Sequence, residues 1–482
     1  MSKVDTAWLR MEQSTNLMMI NGVIFLEGQL DYERFLHTIE QRLLSFRRFR
    51  QRTEDGAAGA HWVEDEDFDI RWHVRRTALP GKADKHELQL LVSDLASTPL
   101  DTNRPLWRFH VVDNYIGGTV VIVRIHHCIA DGIALVQVFL SLTDPQPEGR
   151  ASARSPEQWQ ERRAQEGAVF QRLLEPAKDG LDFATHFGQK LLQEGQKILQ
   201  DPALATEYLG EANEIVRELT HSLTLPDDPP TRLRGRLGVR KQVAWAEPLS
   251  LTEVKAVSKA FGCTVNDVLI AAVSGALRNY LIEQGDDAEA VADIRATVPV
   301  NLRPLEHAPD LGNHFGLVFL SLPLGLDSPL ERLYAVNERM NELKSSKQAA
   351  VTFGFLAALG MGPSALQKPV LDTLSQKATT VLTNVPGPQE DIFIAGSPIK
   401  EMMFWVPQNG GIGLGISILS YNGRVFFGLI ADRKLVSHPE RIIEQFKPEF
   451  EKLLYLGLML PLEGRPAPES AQLLVEQPGA EP

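Results

Sequence analysis

The amino-acid sequence predicts an α/β fold in which two mixed α/β units are joined by a helical connector. Three observations lead to this prediction. Hydrophobic patterns typical of helices and of strands alternate in residues 1–145, and the same mixture returns in residues 241–460. Between the units, residues 146–240 are rich in Gln, Glu, Lys and Arg, and the strand pattern disappears. Residues 461–482, with several prolines and small or acidic residues, predict a disordered tail.

The first unit combines helix and strand patterns. Residues 32–44 carry apolar side chains at the spacing of one helical face, which predicts a helix. Two β-branched runs, at 111–112 and 119–125, lie on either side of a Gly117-Gly118 turn. This arrangement predicts a pair of strands.

The connector is predicted to contain at least one helix with a single apolar stripe. Phe183, Phe187 and Leu191 recur at i, i+4 and i+8, which places them on one helical face. The segment ends in Leu-Pro-Asp-Asp-Pro-Pro at 225–230, a rigid and extended break before the second unit.

The second unit repeats the mixture. Helices are predicted at 251–261, 266–281 and 439–456, and strands at 294–300, 317–323, 416–419 and 425–430. Pro439 stands in the first turn of the last helix, where proline is favoured. No short sequence period repeats along the chain, so neither a solenoid nor a propeller is predicted.

Composition excludes several functional classes. The chain has 49 Lys and Arg against 62 Asp and Glu, a net charge of −13, so nucleic acid is not an expected partner. Cys128 and Cys263 are too few for a disulfide framework or a Cys-rich zinc site, and we expect no metal. Asp5, Arg10 and Glu12 interrupt the N-terminal segment, so a secretory signal is not predicted and a cytoplasmic location is expected.

Two windows without charge, 348–367 and 402–423, have about the length of a membrane span. Both contain Gly and Pro residues that break a spanning helix. A buried helix or a pair of strands is therefore favoured for each window, and peripheral contact with a membrane stays open.

The most informative stretch is His126-His127-x-x-x-Asp131-Gly132, which follows a β-branched run. Neighbouring side chains of a strand point to opposite faces, so the two histidines are poorly placed to share a metal. A neutral imidazole can accept a proton from a hydroxyl without metal or cofactor, which makes His127 a candidate general base. The alternative is a hydrogen-bonded histidine at a strand end. Gly132 would permit a positive φ if the turn requires one.

This stretch resembles the signature of acyltransferases that use coenzyme A thioesters or carrier-bound acyl groups, such as condensation domains and chloramphenicol acetyltransferase. Other motifs narrow the resemblance. They are Pro105-Leu106-Trp107, Asn266-Asp267, Leu311-Gly312-Asn313 and Asn384-Val385-Pro386-Gly387-Pro388. With an N-terminal segment at 4–12 and another at 231–241, they make residues 1–460 similar to the bacterial wax ester synthase/diacylglycerol acyltransferase family.

The resemblance implies two chloramphenicol-acetyltransferase-like halves with a reaction tunnel between them. It implies transfer of a fatty acyl group from acyl-CoA, as co-substrate, to a long-chain alcohol or a diacylglycerol, with no further cofactor and no covalent acyl-enzyme. His127 would be the general base and His126 a structural residue. Asp131 would hold a turn or a salt bridge, with Arg124 or Arg303 as partner.

A thioester reaction also needs a donor to the oxyanion that develops in the transition state. Asn266 is the first candidate because it opens a predicted helix and matches the family's Asn-Asp pair. The alternative is an N-cap without catalytic role. Asp267 favours the helix N-terminus in either case.

The remaining motifs have structural explanations as well as functional ones. Pro105, Leu106 and Trp107 fit a proline-led turn into a core strand better than direct contact with substrate. Asn384, Pro386 and Gly387 belong to a rigid turn that could shape the tunnel wall. Cys128 fits a small buried hydrophobic residue.

A basic stretch stands out in this acidic chain. It consists of Arg232, Arg234, Arg236, Arg240 and Lys241. These side chains could bind the phosphates of coenzyme A, since guanidinium groups recognise phosphate in bidentate fashion. They could equally form a solvated surface or contact anionic lipid.

Absent motifs exclude other enzyme classes. The sequence has no Gly-rich nucleotide loop after a strand and no Gly-x-Ser-x-Gly elbow, which argues against nucleotide hydrolysis and against a serine hydrolase.

Two departures from the family pattern bear on acceptor preference. Residues 17–21 read Leu-Met-Met-Ile-Asn where many members have a Met-His pair, and Arg108 stands where many have an acidic residue.

The leading interpretation is a cytoplasmic O-acyltransferase associated peripherally with membranes or lipid droplets. The alternatives are a condensation-type enzyme that takes carrier-bound acyl groups and a non-catalytic lipid-binding relative.

Overall fold

The computed structural model describes residues 1–56, 59–148, 225–301, 311, 313, 315–345, 375–408 and 410–460. In the first half, the helices are α1 (Lys3–Met11), α2 (Tyr32–Thr38), α3 (Ile70–His73), α4 (Lys85–Ala96) and α5 (Gly132–Ser141). The strands are β1 (Met19–Glu27), β2 (Gln51–Gly56), β3 (Gly59–Glu64), β4 (Val74–Thr77), β5 (Trp107–Tyr115), β6 (Gly118–His126) and β7 (Thr143–Asp144).

In the second half, the helices are α6 (Leu251–Ala260), α7 (Val265–Glu283), α8 (Pro329–Ser345) and α9 (Pro439–Met459). The strands are β8 (Lys241–Trp245), β9 (Leu249–Ser250), β10 (Ile294–Asn301), β11 (Phe315–Leu322), β12 (Thr380–Pro386), β13 (Phe393–Ile394), β14 (Ser397–Trp405), β15 (Leu414–Tyr421) and β16 (Arg424–Asp432). The helices and strands predicted for this half are all found, with ends shifted by up to three residues.

The first sheet combines strands from both halves of the chain. Its order is β4-β5-β6-β1-β14-β13-β7, and β14 pairs antiparallel with β1. The predicted boundary at residue 241 therefore does not separate the sheets, because residues 393–405 complete the first one. That pairing is long-range, so local sequence patterns carry no sign of it.

The second sheet has the order β11-β10-β12-β15-β16-β8, and its two faces pack differently. Leu382 and Ile416 belong to a core that includes residues of α6, α7, α8 and α9. Val385 and Leu419 instead pack with the core of the first sheet. This sheet therefore has a helix face and a face turned toward the first unit, and side chains alternate between the two along each strand.

Several predictions can be compared directly with these elements. The 402–423 window forms the end of β14, a loop and β15, so it contains two strands, as predicted, but they belong to different sheets and do not pair with each other. The 348–367 window, most of the connector and the tail at 461–482 lie outside the described residues. In the described part of the chain, no single helix is long and apolar enough to cross a membrane. One pair of consecutive helices there, α6 and α7, has the required length and composition, but the two helices meet at an angle of 99°.

Candidate active site

The Pro105-Leu106-Trp107 motif supports the strand that carries the histidines. All three residues are buried, and the Trp107 indole Nε1 donates to the Phe49 carbonyl at 2.9 Å. The Leu106 carbonyl accepts from the His126 backbone N–H at 2.9 Å. The motif therefore fixes the end of β6 from within the core, as the core-strand explanation predicts.

His126 has both ring nitrogens engaged with the protein. Its Nδ1 accepts from the Cys128 backbone N–H at 3.1 Å, so its proton is on Nε2, which lies 3.0 Å from Oε2 of Glu12. Burial raises the pKa of Glu12, but hydrogen bonds from the His126 imidazole and from the Met18 backbone N–H, with a smaller effect of Arg124, outweigh burial and leave that pKa below its ordinary value. His126 therefore serves as a structural link to Glu12.

His127 lies beyond the end of β6 in a different environment. Its ring stacks on Trp8 of α1 at a centroid distance of 4.3 Å, and its side chain is buried. Burial lowers the pKa of His127 to about 4, although the Asp131 carboxylate and the Asn313 side chain act in the opposite direction. The imidazole is therefore neutral at pH 7, the form that can accept a proton.

A buried network holds the loop between β6 and α5 from both halves of the chain. Asn313, from the second half, donates through Nδ2 to the His127 carbonyl at 3.0 Å and to Asp5 at 2.8 Å. Asp5 also pairs with Arg48 at 3.1 Å, and Arg48 donates to the Ile129 carbonyl at 2.6 Å. The backbone carbonyls of His127 and Ile129, both in the histidine loop between β6 and α5, are therefore held by side chains that both contact the Asp5 carboxylate.

Asp131 is the N-cap of α5. Its Oδ1 accepts from the Ala134 backbone N–H at 2.8 Å, so of the two predicted roles the structure shows the turn. Arg124, one predicted salt-bridge partner, points elsewhere and donates to the Thr98 carbonyl. The other, Arg303, lies outside the described residues.

The turn after the histidines does not require a positive φ at Gly132. Gly132 is the first residue of α5 and has no left-handed conformation. A Cβ added there would meet nothing within 4 Å. The missing side chain instead leaves open space beside the histidine loop.

That space belongs to an apolar cavity of about 90 Å³ between the two units. Its walls come from the first sheet, from α5 and from the face of the second sheet that turns toward the first unit. Lining residues include Ile125, Gly132, Phe139, Val385, Phe404 and Leu419. The helix that follows His127 therefore borders a narrow site suited to a hydrocarbon chain.

The structure does not bring Asn266 to this cavity. Asn266 Oδ1 accepts from Asn384 Nδ2 at 2.7 Å, so two of the sequence motifs meet. Asn384, however, lies between Thr383 and Val385 on β12, and both of these line the apolar cavity. Asn384 and Asn266 therefore occupy the helix face of the second sheet, away from the apolar cavity, and the assignment of Asn266 as oxyanion donor stays a prediction that this geometry does not support.

The N-cap alternative for Asn266 is wrong. Thr264 caps α7, and Thr264 and Asp267 form a reciprocal capping box. Asp267 additionally accepts from Asn337 of α8 at 2.7 Å, so it joins two helices.

A second cleft of about 730 Å³, with a more polar lining than the apolar cavity, lies on the helix face, where Asn266, Asn384, Pro386 and Gly387 are among the lining residues. Gly387 donates its N–H to the Ser420 carbonyl at 2.7 Å, and a Cβ there would lie 2.5 Å from that oxygen. The Asn-Val-Pro-Gly-Pro motif therefore needs glycine for close approach to β15. Its Asn384, Pro386 and Gly387 line this cleft, whereas its Val385 lines the apolar cavity.

The basic stretch is largely engaged in other contacts. Lys241 is buried and pairs with Asp432 at 2.8 Å, so its predicted role in phosphate binding is wrong. Arg232 pairs with Asp286, and Arg234 donates to a backbone carbonyl at 2.7 Å. Arg236 and Arg240 are exposed.

Comparison with known proteins identifies the family. A model of the wax ester synthase/diacylglycerol acyltransferase catalytic domain matches residues 1–269, and a model of the family's C-terminal domain matches residues 311–454. The chain belongs to the wax ester synthase/diacylglycerol acyltransferase family. It is therefore an acyltransferase, as the sequence motifs predict.

Relatives and solved structures agree with this membership. Two mycobacterial proteins named as diacylglycerol O-acyltransferases match along most of their length. The one from Mycobacterium tuberculosis is 28% identical, with 94% of this chain and 90% of the relative covered. The one from Mycobacterium bovis is 29% identical, with 93% and 97% covered.

The fold matches the wax ester synthase/diacylglycerol acyltransferase from Marinobacter aquaeolei VT8, with a TM-score of 0.63, 22% identity, and 94% and 98% of the two chains covered. It also matches the first condensation domain of the calcium-dependent antibiotic synthetase, with a TM-score of 0.56, 14% identity, and 93% and 96% covered. The predicted two-unit fold is confirmed.

Sequence reasoning missed most residues of the network around His127. The N-terminal segment at 4–12 was recognised as part of the family pattern, but Asp5, Trp8 and Glu12 received no role. Asn313 belongs to the Leu311-Gly312-Asn313 motif, but its sequence context predicts no contact with the histidines. Arg48 gave no signal, because only the fold brings it to Asp5.

Proposed function

We propose that this family member transfers a fatty acyl group from acyl-CoA to the hydroxyl of a long-chain alcohol or a diacylglycerol, with His127 as general base. One observation carries the proposal: a neutral, buried imidazole stacks on Trp8, Asn313 of the second half holds the backbone carbonyl of the same residue, and the loop leads into the helix that borders the apolar cavity. His126 cannot take this role without breaking its contacts to Cys128 and Glu12.

In the proposed reaction, the imidazole of His127 removes the proton of the acceptor hydroxyl while the hydroxyl oxygen attacks the carbonyl carbon of the thioester. A tetrahedral oxyanion forms and collapses, and the carbon–sulfur bond breaks. The imidazolium returns the proton to the departing thiolate, so the products are an ester and free coenzyme A. Asp131, whose charge raises the pKa of His127, stabilises the imidazolium while it exists.

The acyl group passes directly between substrates in this proposal. Cys128, the thiol beside His127, is fully buried, and burial raises its pKa well above the ordinary value. A protonated, enclosed thiol is a poor nucleophile, which supports a route without acyl-enzyme. The reaction as written requires neither a metal nor a cofactor beyond acyl-CoA.

The acceptor class is supported by the cavity and by the relatives. The apolar lining fits an alkyl chain, and the mycobacterial relatives are named for action on diacylglycerol. We extend the proposal to a cytoplasmic protein at the surface of a membrane or lipid droplet. Tyr455, Leu458 and Met459, which are exposed near the end of α9, support that placement.

The test offers palmitoyl-CoA with hexadecanol or with dipalmitoylglycerol and measures ester and released thiol. We expect ester with at least one acceptor, and a loss of at least about 10²-fold in kcat for His127→Ala, the usual contribution of a general base. His438→Ala, which changes an exposed histidine, is the matched control.

Two results would contradict the proposal. An unchanged kcat in His127→Ala would remove the general base. Ester or amide formed only when an acylated carrier protein replaces acyl-CoA would identify a condensation-type enzyme instead.

A further inference from the structure

Four side chains that carry or can carry positive charge lie side by side on the first sheet, and no step of the proposed reaction uses them. We call Arg75, Arg108, His110 and Arg124 the sheet cation cluster. Arg75 of β4 is paired in register with His110 of β5, and Arg108 of β5 with Arg124 of β6. Cross-strand partners have neighbouring side chains, so the four form one patch.

The sheet cation cluster lies on the face opposite the apolar cavity. Phe109, Val123 and Ile125 line that cavity, and Arg108 and Arg124 alternate with them along β5 and β6. The hydrocarbon site and the cationic site are therefore separated by the sheet.

The patch runs from solvent into the interior. Arg75 is exposed, Arg108 and His110 are half-buried, and Arg124 is only 2% exposed. Trp72 lies beside the outer part, with the guanidinium carbons of Arg75 and Arg108 at 4.8 and 4.3 Å from its ring centroid. Two arginines held on one aromatic ring keep a defined direction.

Neither the three arginines nor His110 has a carboxylate within ion-pair distance among the described residues. Nε of Arg108, Nε2 of His110 and Nε of Arg124 are buried without a hydrogen-bond partner there. The acids whose charge acts on Arg108 and Arg124 are Asp101, which accepts from Asn103, and Glu12, which contacts His126. Such grouping is costly, because the like charges repel one another and the buried ones lose hydration without gaining a counter-charge.

The lowered pKa values of Arg124 and His110 are consistent with this cost. Burial, with a contribution from Arg108, lowers the pKa of Arg124 to about 10. Burial and the three arginines lower the pKa of His110 to about 4. A multiply charged anion would offset the mutual repulsion and satisfy the buried nitrogens, and guanidinium groups bind phosphate in just this way.

We infer that the sheet cation cluster binds a phosphate group of the coenzyme A donor. The inference rests on the proposed use of acyl-CoA. Strand geometry places the Cα of Arg124 about 10 Å from that of His127 and the Cα of Arg75 about 20 Å away. In acyl-CoA the pantetheine arm separates the phosphates from the thioester, so a phosphate site at a distance from the base fits the donor.

The kinetic test compares two donors with the same thioester. Arg108→Gln and Arg75→Gln are assayed with palmitoyl-CoA and with palmitoyl-pantetheine, which has no phosphate. We expect each variant to raise KM for palmitoyl-CoA roughly tenfold, the effect of losing one charged hydrogen bond, with kcat and the KM for palmitoyl-pantetheine preserved. Arg441→Gln, which removes an exposed charge on α9, is the control.

Two kinetic outcomes would overturn the inference. An equal rise of KM for both donors would show that the variants disturb the fold or the thioester site. A rise of KM for palmitoyl-CoA in Arg236→Gln, but not in Arg108→Gln, would place the phosphates on the basic stretch at 232–241.

Direct binding separates this inference from the proposed function. Calorimetry with coenzyme A and with adenosine 3′,5′-bisphosphate needs no turnover, and we expect a roughly tenfold weaker Kd in Arg108→Gln. If the chain forms no ester but shows this loss, the proposed function fails and the phosphate site stands. Unchanged Kd values would end the inference.

A phospholipid headgroup is the other source of phosphate. Sedimentation with phosphatidylglycerol vesicles tests it. We expect Arg108→Gln to bind these vesicles as the unaltered chain does. Loss of vesicle binding with an unchanged Kd for coenzyme A would assign the cluster to lipid and overturn the inference.

Discussion

His126 and His127 are adjacent in sequence, yet the structure gives them different chemistry. His126 ends β6 and is held between Cys128 and Glu12, whereas His127 stacks on Trp8. The sequence predicts that the two side chains diverge, because strand neighbours face opposite ways. It cannot predict Glu12 or Trp8 as the contacts, since α1 reaches the loop only in the folded chain.

The lowered pKa of His127 predicts an unusual pH dependence. Because burial moves the pKa from 6.5 to about 4, the imidazole stays neutral well below the ordinary titration range. We therefore expect kcat/KM for palmitoyl-CoA and hexadecanol to be constant from pH 8 to about 5.5 and to fall by half near pH 4. The profile is measured at a fixed acceptor concentration, since hexadecanol does not titrate.

Stability must be followed in the same samples. Below the unfolded pKa of 6.5 the native state binds fewer protons at His127 than the unfolded state does. Its contribution to the free energy of unfolding is therefore complete above pH 6.5 and is lost as the pH falls toward 4. Values of kcat/KM are compared only at pH values at which fluorescence shows that the chain is folded. A midpoint near pH 6.5 in a folded sample would mean that the imidazole is not desolvated.

At the scale of the element, short-range signals predicted helices and strands well and functional placement less well. The capping box of α7 is visible in the sequence as Thr264 and Asp267, three residues apart, and it decides that Asn266 is not the cap. The position of Asn384 on the helix face depends on how β12 packs in its sheet. Sequence alternation shows two faces but not what each face contacts.

Substitution by alanine should lower the free energy of unfolding at one glycine of the site motifs and leave it unchanged at another. A Cβ at Gly387 would lie 2.5 Å from the Ser420 carbonyl oxygen, so Gly387→Ala should lower the free energy of unfolding by about 1–3 kcal/mol. A Cβ at Gly132 meets open space with an ordinary helical φ, so Gly132→Ala should cost no stability. Urea unfolding measures both.

Gly132→Ala should nevertheless change the reaction. Gly132 lines the apolar cavity, so the added methyl group occupies space proposed for an alkyl chain. We expect Gly132→Ala to raise the KM for hexadecanol more than the KM for a shorter alcohol, each compared with the KM of the unaltered chain. Equal stability losses in Gly387→Ala and Gly132→Ala would contradict this account of the two glycines.

At the scale of the whole molecule, the sequence predicts two units but not how they interlock. Local patterns place β14 in the second half, and nothing in them indicates that it pairs with β1. The core of the first sheet likewise includes Leu419 and Ile430 from the second half. Long-range strand pairing is set by the complete hydrophobic surface, which no local window contains.

This interlocking predicts that the two units unfold together. Because β14 completes the first sheet and Asn313 bonds to Asp5, loss of either unit exposes the core of the other. We expect one calorimetric transition for the chain, where independent domains would give two.

The variant Gly22→Ala makes the test more specific, since a Cβ at Gly22 would overlap the Phe404 ring across the β1–β14 pair. It should lower the midpoint of the single transition without splitting it. Two resolved transitions, with only the earlier one shifted by Gly22→Ala, would show that the units are stable separately.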